Sequence, residues 1–400
     1  MKILLSAFAC DPTQGSESGY GWNWATGIAK AGIEVHCITR DVGRANIEAY
    51  PKPSNVTFYY IKLPFGLEKL YSFSIPTMYL YYLLWQWRAY KKGKSLNGKN
   101  KFSIVHHVTW GSYQLGSFMY LLPVKFIFGP AGGGQISPLK FKKYFGKHWR
   151  TEVVRNIISK VLQKYNPGFN KMVKCASVVW VSNNETYEMV NNLNPKSIKF
   201  TLDAALASNF IPSTIKTKTY SDSSLQLLWV GRFMPRKGGL LIIEIMEKIR
   251  EFKDITLTIV GDGSQRDEII NSIKSKGLEK SVYLVGRVPY EEVKKYYGSH
   301  DAFLFTSLRD SCPAQLVEAM AFGLPIITLD LHGQSVIVNE ETGFRCNCDS
   351  PEQAIINASD AIIKLYYDRS LHNKMSLAAR KFAEQQSWDN KIDKIIKESY

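Results

Sequence analysis

The sequence predicts an α/β protein made of two doubly wound domains. Short, mainly apolar segments alternate with helical segments along the 400 residues, and a chain of this length suits two domains. Continuous apolar strands separated by helices indicate parallel sheets that are buried on both faces. The strand segments form two groups, which predicts one such sheet in each half of the chain.

The predicted strands of the first half are 2–9, 33–39, 56–61, 103–107, 125–128 and 177–181. Those of the second half are 225–230, 255–260, 281–285, 302–306 and 325–329. Between the halves, 207–224 is rich in Ser, Thr and Lys and has the composition of a linker. We therefore predict a first domain over 1–206, a linker over 207–224 and a second domain over 225–387. The remaining stretch, 388–400, has the pattern of an amphipathic helix and is expected to cross back to the first domain.

The formal net charge is +16, and the first half carries the excess. Residues 51–150 include 15 Lys and Arg but one acid, Glu68. Such a one-sided field indicates an anionic partner. In 75–94 and 139–174 cations alternate with aromatic residues, which is typical of helices on anionic membranes. The same pattern suits single-stranded nucleic acid, but no nucleic-acid module is recognisable. We expect a membrane surface rather than nucleic acid, and a solvated basic face is the alternative.

The cellular location is predicted from what the sequence lacks. The first residues do not have the composition of a signal peptide, and no apolar run reaches the roughly 20 residues of a spanning helix. The six cysteines are mostly far apart, as in a reducing cytoplasm. The pair Cys346 and Cys348 has no second pair or nearby histidine, so no metal site is expected. We predict a cytoplasmic protein that is at most peripheral on the inner face of the cell membrane.

The first candidate anion site follows the strand at 225–230. Arg232, Arg236 and Lys237 precede a helical pattern, between Gly231 and Gly238. Cations at a helix start oppose the helix dipole by roughly 0.3–1 kcal/mol each. Free N–H groups at a helix start also bind phosphate well. The cluster therefore indicates a bound anion, with solvated cations in a turn as the alternative.

The second candidate site follows the strand at 302–306. Pro313 suits the first position of a helix, with Ser311 or Cys312 near its cap. The start of this helix is expected at the carboxyl edge of the sheet, where open α/β sheets bind ligands. Asp310 and Glu318 could bind sugar and ribose hydroxyls there. The alternative is that Asp310 only interacts favourably with the helix dipole and that Glu318 is an exposed residue of the helix.

Together these motifs resemble the family 4 retaining glycosyltransferases of GT-B fold, also called glycosyltransferase group 1. The resemblance covers nearly all of 225–345 and rests on four motifs in order: Gly231-Arg232 with Lys237-Gly238, Gly261-Asp262-Gly263, Gly286-Arg287-Val288-Pro289, and Asp310 with Glu318. In the last motif, seven residues separate Asp310 from Glu318, which stands eight positions later. The resemblance implies two Rossmann-like domains that face a central cleft. It also implies retaining transfer from a UDP- or GDP-sugar, used as substrate, with no cofactor and no metal.

The resemblance also implies roles for individual residues. Arg232 and Lys237 would bind the donor diphosphate, Glu318 the ribose, and Asp310 the donor sugar as a catalytic residue. The family usually has Glu where this chain has Asp310, which leaves the identity of the sugar open. Further diphosphate contacts are expected at Gly15, Ser311 and Cys312. The nucleotide would be lined by Gly231, Gly261, Gly263 and Arg287.

In the first domain, the predicted strand at 103–107 ends in His106 and His107. A histidine here matches the active-site histidine of the family. Because strand alternation sends the two side chains to opposite faces, we expect only one to reach the cleft, with His106 preferred. The turn after the first strand holds Gly15, Gly19 and Gly21 but not the G-x-G-x-x-G pattern, which argues against a nicotinamide enzyme. It resembles the Gly-rich first loop of the same family, and a glycine-rich turn with packing aromatic residues is the alternative.

The expected function is sugar transfer to a glycan or lipid-linked saccharide in bacterial surface polysaccharide synthesis. One alternative is a nucleotide-sugar 2-epimerase, an isomerase of the same fold that needs no acceptor. Another is a non-catalytic protein that binds nucleotide-sugars or polyanions.

Overall fold

The computed structural model describes residues 1–112, 114–215 and 224–400. It divides into two compact units. Unit 1 contains Met1–Gly134, Ile157–Ala204 and Trp388–Tyr400. Unit 2 contains Gln135–Asn156 and Ala205–Ser387. Of the predicted linker, 216–223 lies outside the described residues.

Unit 1 is built around a seven-stranded parallel sheet in the order β3-β2-β1-β4-β5-β6-β7. Its strands are β1 (Lys2–Ala7), β2 (Glu34–Arg40), β3 (Val56–Ile61), β4 (Ile104–Thr109), β5 (Lys125–Ala131), β6 (Val178–Val181) and β7 (Ile198–Phe200). The described helices of this unit are α1 (Ser16–Lys30), α2 (Arg44–Ala49), α3 (Leu70–Phe73), α4 (Ile75–Asn100), α6 (Pro167–Cys175), α7 (Asn184–Asn191) and α15 (Trp388–Ser399). Helix α5 (Trp149–Lys164) contains residues of both units.

Unit 2 is built around a six-stranded parallel sheet in the order β10-β9-β8-β11-β12-β13. Its strands are β8 (Leu225–Val230), β9 (Ile255–Val260), β10 (Val282–Gly286), β11 (Ala302–Phe305), β12 (Ile326–Leu329) and β13 (Gly343–Cys346). Its described helices are α8 (Gly239–Lys248), α9 (Arg266–Ser275), α10 (Tyr290–Ser299), α11 (Ala314–Ala321), α12 (His332–Ile337), α13 (Pro351–Tyr367) and α14 (Arg369–Gln385).

The two sheets confirm the prediction of two doubly wound units. Central strands such as β4, β6, β11 and β12 are buried along their whole length, because helices cover both faces of a parallel sheet. Their continuous apolar sequences are what the prediction used. The edge strands β7 and β13 were not predicted. Both are short, and β7 is only half-buried, so the apolar signal is weak there.

The segment 135–156 differs from the sequence-based boundary of the first domain. Its aromatic residues Phe141, Tyr144 and Phe145 are buried in the core of unit 2. The Tyr144 hydroxyl donates to Glu244 Oε2 on α8 at 2.8 Å. The expectation that these aromatic rings lie on a membrane is therefore wrong. Burial in a core and insertion into a membrane have the same apolar signal in the sequence, and only the fold separates them.

Helix α15 packs within unit 1. Its Trp388 ring contacts Tyr20 of α1, Ser399 Oγ accepts a hydrogen bond from the Trp180 indole at 2.9 Å, and the Tyr400 hydroxyl lies 2.8 Å from His106 Nδ1. The buried residues of α15 include Trp388, Ile392 and Ile395, which form the apolar face that the sequence indicated. Among the described residues, no helix is long and apolar enough to cross a membrane.

Candidate functional site

The turns that follow β8 and β11 meet at the carboxyl edge of the sheet in unit 2. After β8 a short 3₁₀ turn over Pro235–Lys237 is capped by Gly238, which has a φ of 71°. A Cβ atom at Gly238 would lie 2.3 Å from the carbonyl oxygen of Thr306, so a larger residue could not fit. The backbone N–H of Leu308 donates to the carbonyl of Arg236 at 2.7 Å. Close backbone contact thus holds the cationic turn against the end of β11.

Asp310 lies between the cations of this turn. Lys237 Nζ donates to its Oδ2 at 2.6 Å, and Arg236 Nη1 donates to its Oδ1 at 3.3 Å. Ser307 Oγ also donates to Oδ2 at 2.7 Å. Lys237 is buried, and the guanidinium of Arg236 and the carboxylate of Asp310 are mostly covered. We call Arg236, Lys237, Ser307 and Asp310 the charge cluster.

Charges within the cluster shift the pKa values of Asp310 and Lys237. Burial alone would raise the pKa of Asp310, but the charges of Lys237 and Arg236 outweigh this and hold its pKa below the ordinary value of 3.8. Burial lowers the pKa of Lys237, while Asp310 opposes this change. The charge of Arg232 also lowers the pKa of Lys237, so Arg232 lies near the cluster although its own side chain is exposed. One buried and one mostly covered cation against a single carboxylate leave a site suited to an anion.

The start of α11 lies just after the charge cluster in the sequence. The helix begins at Ala314 with Pro313 as its N-cap, one residue later than predicted. Ser311 and Cys312 are half-buried in the turn before it. The backbone N–H of Gly333 donates to the carbonyl of Asp310 at 3.1 Å, which ties this turn to α12. The predicted diphosphate residues of unit 2 are therefore brought to one edge of the sheet.

Glu318 is buried on α11 and faces two tyrosines of α10. Tyr290 donates to Glu318 Oε1 at 2.8 Å, and Tyr297 donates to Oε2 at 3.0 Å. Burial raises the pKa of Glu318 above its ordinary value, and the two hydroxyl donors oppose this. Phe210 packs its ring on Tyr290 with a centroid distance of 6.0 Å. The alternative of an exposed helical Glu is therefore wrong.

Three glycines bring the turns after β8 and β9 into direct contact. Gly231 N donates to the carbonyl of Val260 at 3.0 Å. A Cβ atom at Gly261, whose φ is 145°, would lie 1.8 Å from the carbonyl oxygen of Gly231. At Gly263, a Cβ atom would lie 2.6 Å from the carbonyl oxygen of Phe233. Backbone packing therefore requires Gly261 and Gly263, whereas a Cβ atom at Gly231 would meet the Trp229 ring at 3.0 Å. Arg287, after β10, is exposed.

In unit 1 the glycine-rich turn packs on its own strand. Gly15 is exposed and forms the N-cap of α1. Cβ atoms at Gly19 and Gly21 would lie 2.4 Å and 1.9 Å from the carbonyl oxygens of Gln14 and Ala9. Those two glycines therefore serve close packing within the turn, the alternative that the sequence left open. Gly15 has open space where a Cβ atom would be.

Both candidate histidines are completely buried in unit 1. The ring nitrogens of His106 lie 2.8 Å from the Tyr400 hydroxyl and 2.8 Å from the carbonyl oxygen of Gly129. His107 Nδ1 lies 3.0 Å from Ser6 Oγ. Burial lowers the pKa of His106 to about 4 and that of His107 to about 3. Neither ring is therefore exposed, and the expectation that one of them reaches the cleft stays a prediction.

Several site residues could not be found from the sequence. Tyr290 and Tyr297 reach Glu318 from another helix, and no local pattern links them. Glu152 is a further example. It is buried in the 135–156 segment and forms two contacts with the Arg309 guanidinium at 3.1 Å. The carbonyl of Arg309 accepts from Arg236 Nη1 at 3.0 Å, so Glu152 supports the charge cluster through Arg309.

The described residues hold no group of three or more His, Cys, Asp or Glu side chains that could bind a metal ion. The carboxyl edge of the sheet in unit 2 brings together fixed cations, a mostly covered carboxylate and helix N–H groups. This arrangement can bind a phosphate-bearing ligand and stabilise negative charge that develops on it.

Comparisons with known proteins agree with this geometry. Residues 213–382 match the family model described as glycosyl transferases group 1. The GPI3 subunit of phosphatidylinositol N-acetylglucosaminyltransferase from Saccharomyces cerevisiae is 31% identical over 174 residues, which is 42% of this chain. The match spans 38% of the length of that yeast relative.

Solved structures of similar fold cover nearly the whole chain. Sucrose-phosphate synthase from Thermosynechococcus elongatus has a TM-score of 0.65 at 17% identity, covering 99% of this chain and 97% of that structure. Anabaena HepE, solved in complex with UDP, has a TM-score of 0.65 at 15% identity, covering 100% and 99%. At these identities the likeness concerns the fold. With the two parallel sheets, it confirms the predicted α/β GT-B class.

Proposed function

We propose that this chain is a glycosyltransferase that moves a sugar from a nucleotide-diphosphate sugar to a glycan or lipid-linked saccharide. The observation that carries the proposal is the charge cluster. Arg236, Lys237 and Asp310 come together at the carboxyl edge of a parallel sheet, where open α/β sheets bind their ligands. The cluster also lies in the part of the chain that matches the group 1 model.

The cations act on the leaving group. When the bond between sugar and diphosphate breaks, negative charge develops on the diphosphate oxygens. Arg236, Arg232 and Lys237 would stabilise this charge, and fixed charges in a partly buried site do so without reorganisation. N–H groups at the start of α11, near Ser311 and Cys312, would add to this. We therefore propose transfer that needs no metal ion and that retains the anomeric configuration, as in the family 4 enzymes that the motifs resemble.

Two buried acids give the donor its orientation. Asp310 holds Lys237 in place and would contact the donor sugar. Glu318 would bind the ribose hydroxyls, as the motif resemblance implies, and the Tyr290 hydroxyl would compete with them for Oε1. The glycine turns at Gly231 and Gly261 bring backbone close to the same edge, where a nucleotide would lie. A UDP- or GDP-sugar is the donor we propose, used as substrate without a cofactor.

Unit 1 would receive the acceptor. Its strongly basic part, 51–134, carries 10 basic residues and one acid, which favours an anionic, lipid-linked acceptor at a membrane surface. We propose a protein that is peripheral on the cytoplasmic face of the cell membrane and acts in bacterial surface polysaccharide synthesis.

The proposal is tested by a thermal-shift screen of UDP-, GDP- and ADP-sugars. A donor at 100 times its Kd should stabilise the protein by about 2.7 kcal/mol, and Arg236→Ala should reduce this shift. Lys253→Ala, which alters an exposed cation in unit 2, is the matched control and should not. If no nucleotide-sugar shifts the melting temperature, the proposal fails.

The rival functions separate at the next step. The stabilising donor is incubated with and without membrane glycolipid extract, and products are read by mass spectrometry. An isomerised sugar formed from donor alone would select the 2-epimerase. Binding without transfer, hydrolysis or isomerisation would select a nucleotide-sugar-binding protein.

A further inference from the structure

Two phenyl rings project into solvent from the connection between β3 and α4. Phe65 is 97% exposed and Phe73 is 83% exposed. Both lie in the segment 62–74 of unit 1, which we call the phenyl segment. Large apolar side chains normally gain stability by leaving water. Two such rings this exposed on one short segment indicate that another apolar phase covers them.

The phenyl segment is anchored, so its rings are not exposed through lack of structure. Leu63 is buried. The Glu68 carboxylate accepts from the Leu63 backbone N–H at 2.7 Å and from the Tyr81 hydroxyl of α4 at 2.7 Å. Phe65 itself has a φ of 58°, a conformation that is rare for a bulky residue. The segment is thus held on unit 1 by its other residues, while the rings of Phe65 and Phe73 stay in water.

Charges around the phenyl segment indicate which phase covers the rings. Lys62 and Lys69 are exposed within the segment. Glu68, the one acid in 51–150, is held by its two hydrogen bonds. Helix α4 continues the pattern, because it contains no acid and its outer side exposes Trp87 beside Lys91. Aromatic rings among unopposed cations match the headgroup region of an anionic bilayer.

We propose that the phenyl segment inserts Phe65 and Phe73 into the surface of an anionic phospholipid membrane, with the basic outer side of α4 against the headgroups. The inference extends the proposed membrane association and does not depend on the sugar-transfer chemistry. It keeps the expected membrane contact of 75–94, which lies in α4, but adds the phenyl segment and leaves out 139–174. The rings supply apolar insertion, and the cations supply attraction to anionic lipid.

The test is sedimentation of the full chain with phosphatidylcholine vesicles in which roughly 30% of the lipid is anionic phosphatidylglycerol, which gives the vesicle a negative surface potential. Phe65→Ala and Phe73→Ala should each lower the vesicle affinity about tenfold, and the double variant about a hundredfold. Tyr367→Ala and Leu377→Ala are matched controls, because these side chains are 70% and 60% exposed in unit 2. The controls should leave vesicle binding unchanged.

Two further readouts make the outcome decisive. The melting temperature and the donor-induced shift should be the same in the double variant as in the parent, since exposed rings contribute little to folding. Unchanged vesicle binding by the double variant, or equal binding to pure phosphatidylcholine, would overturn the inference and leave the proposed sugar transfer intact. A dimer in light scattering that dissociates in the double variant would also overturn it, by showing that a second copy covers the rings.

Discussion

Asp310→Asn is the substitution that separates a catalytic role of the charge cluster from a structural one. It keeps the size of the side chain and removes its charge. Lys237 would then be left buried beside a neutral amide, although it now donates to Asp310 Oδ2 at 2.6 Å. Arg236 would keep its hydrogen bond to the carbonyl of Arg309.

The expected magnitude follows from that distance. Two charges 2.6 Å apart attract by roughly 6 kcal/mol at an effective dielectric constant of about 20, and the cost of desolvation cancels much of this. Removing one partner of such a pair costs about 3–5 kcal/mol, because it leaves a buried charge without its partner. The pKa of Asp310 lies below 3.8, so its stabilising effect is present above that pH. The effect is lost as the pH falls through the lowered pKa.

The assay is urea unfolding at pH 7, combined with donor turnover below the unfolding transition. Asp310→Asn should lower the free energy of unfolding by about 3–5 kcal/mol and lower turnover more than a hundredfold, equivalent to about 2.7 kcal/mol or more in the barrier. The double variant Asp310→Asn/Lys237→Met should regain most of the stability, since neither charge is then unpaired. It should not regain turnover. Recovery of both would show that the pair is only structural, and a stability loss under about 1 kcal/mol for the single variant would refute the ion-pair reasoning.

Three other substitutions test two residues of the site in unit 2 and one acid of unit 1. Tyr290→Phe removes a hydrogen bond to Glu318 Oε1 and frees that oxygen for a ribose hydroxyl. Calorimetry should show nucleotide-sugar affinity up to about tenfold higher, with a loss of about 1.5–3 kcal/mol in the free energy of unfolding. Weaker binding would contradict competition between the Tyr290 hydroxyl and the ribose. Arg232→Ala should raise the donor KM about tenfold, which is a loss of about 1.4 kcal/mol in binding free energy. The free energy of unfolding should change by less than about 0.5 kcal/mol, because the side chain is exposed. An unchanged KM would show that Arg232 does not belong to the site. Burial, helped by the charge of Asp203, raises the pKa of Glu17 from 4.5 to about 7. The free energy of unfolding of the parent should therefore fall by up to about 3 kcal/mol as the pH rises from 4.5 through 7. Glu17→Gln should flatten that decline in urea unfolding, and an identical pH profile would contradict it.

The sequence predicts much of the fold because the strand signal is local. Buried parallel strands are apolar along their length, so the central strands were found within a few residues, whereas β7 and β13 at the edges were not. The candidate donor site could also be predicted in part from the sequence. Arg232, Lys237, Asp310 and Glu318 stand next to strand ends or on the following helix, and the carboxyl ends of parallel strands must meet at one edge of the sheet.

Other features of the site depend on which segments pack together. The sequence could not show that Glu152 supports Arg309, that two tyrosines of α10 bind Glu318, or that both histidines are buried. It assigned the aromatic residues of 139–174 to a membrane, whereas several of them complete the core of unit 2.

The sequence by itself therefore determined the two doubly wound sheets and the presence of cations and acids at the strand ends. The tertiary structure alone decided the partners of those charges and which apolar residues remain in water. The physical reason is that strand and helix periodicity is set by neighbouring residues, whereas burial and ion pairing are set by residues far apart in the chain. Phe145 and Phe65 are the same amino acid in the same basic region, yet one is buried in a core and the other is fully exposed.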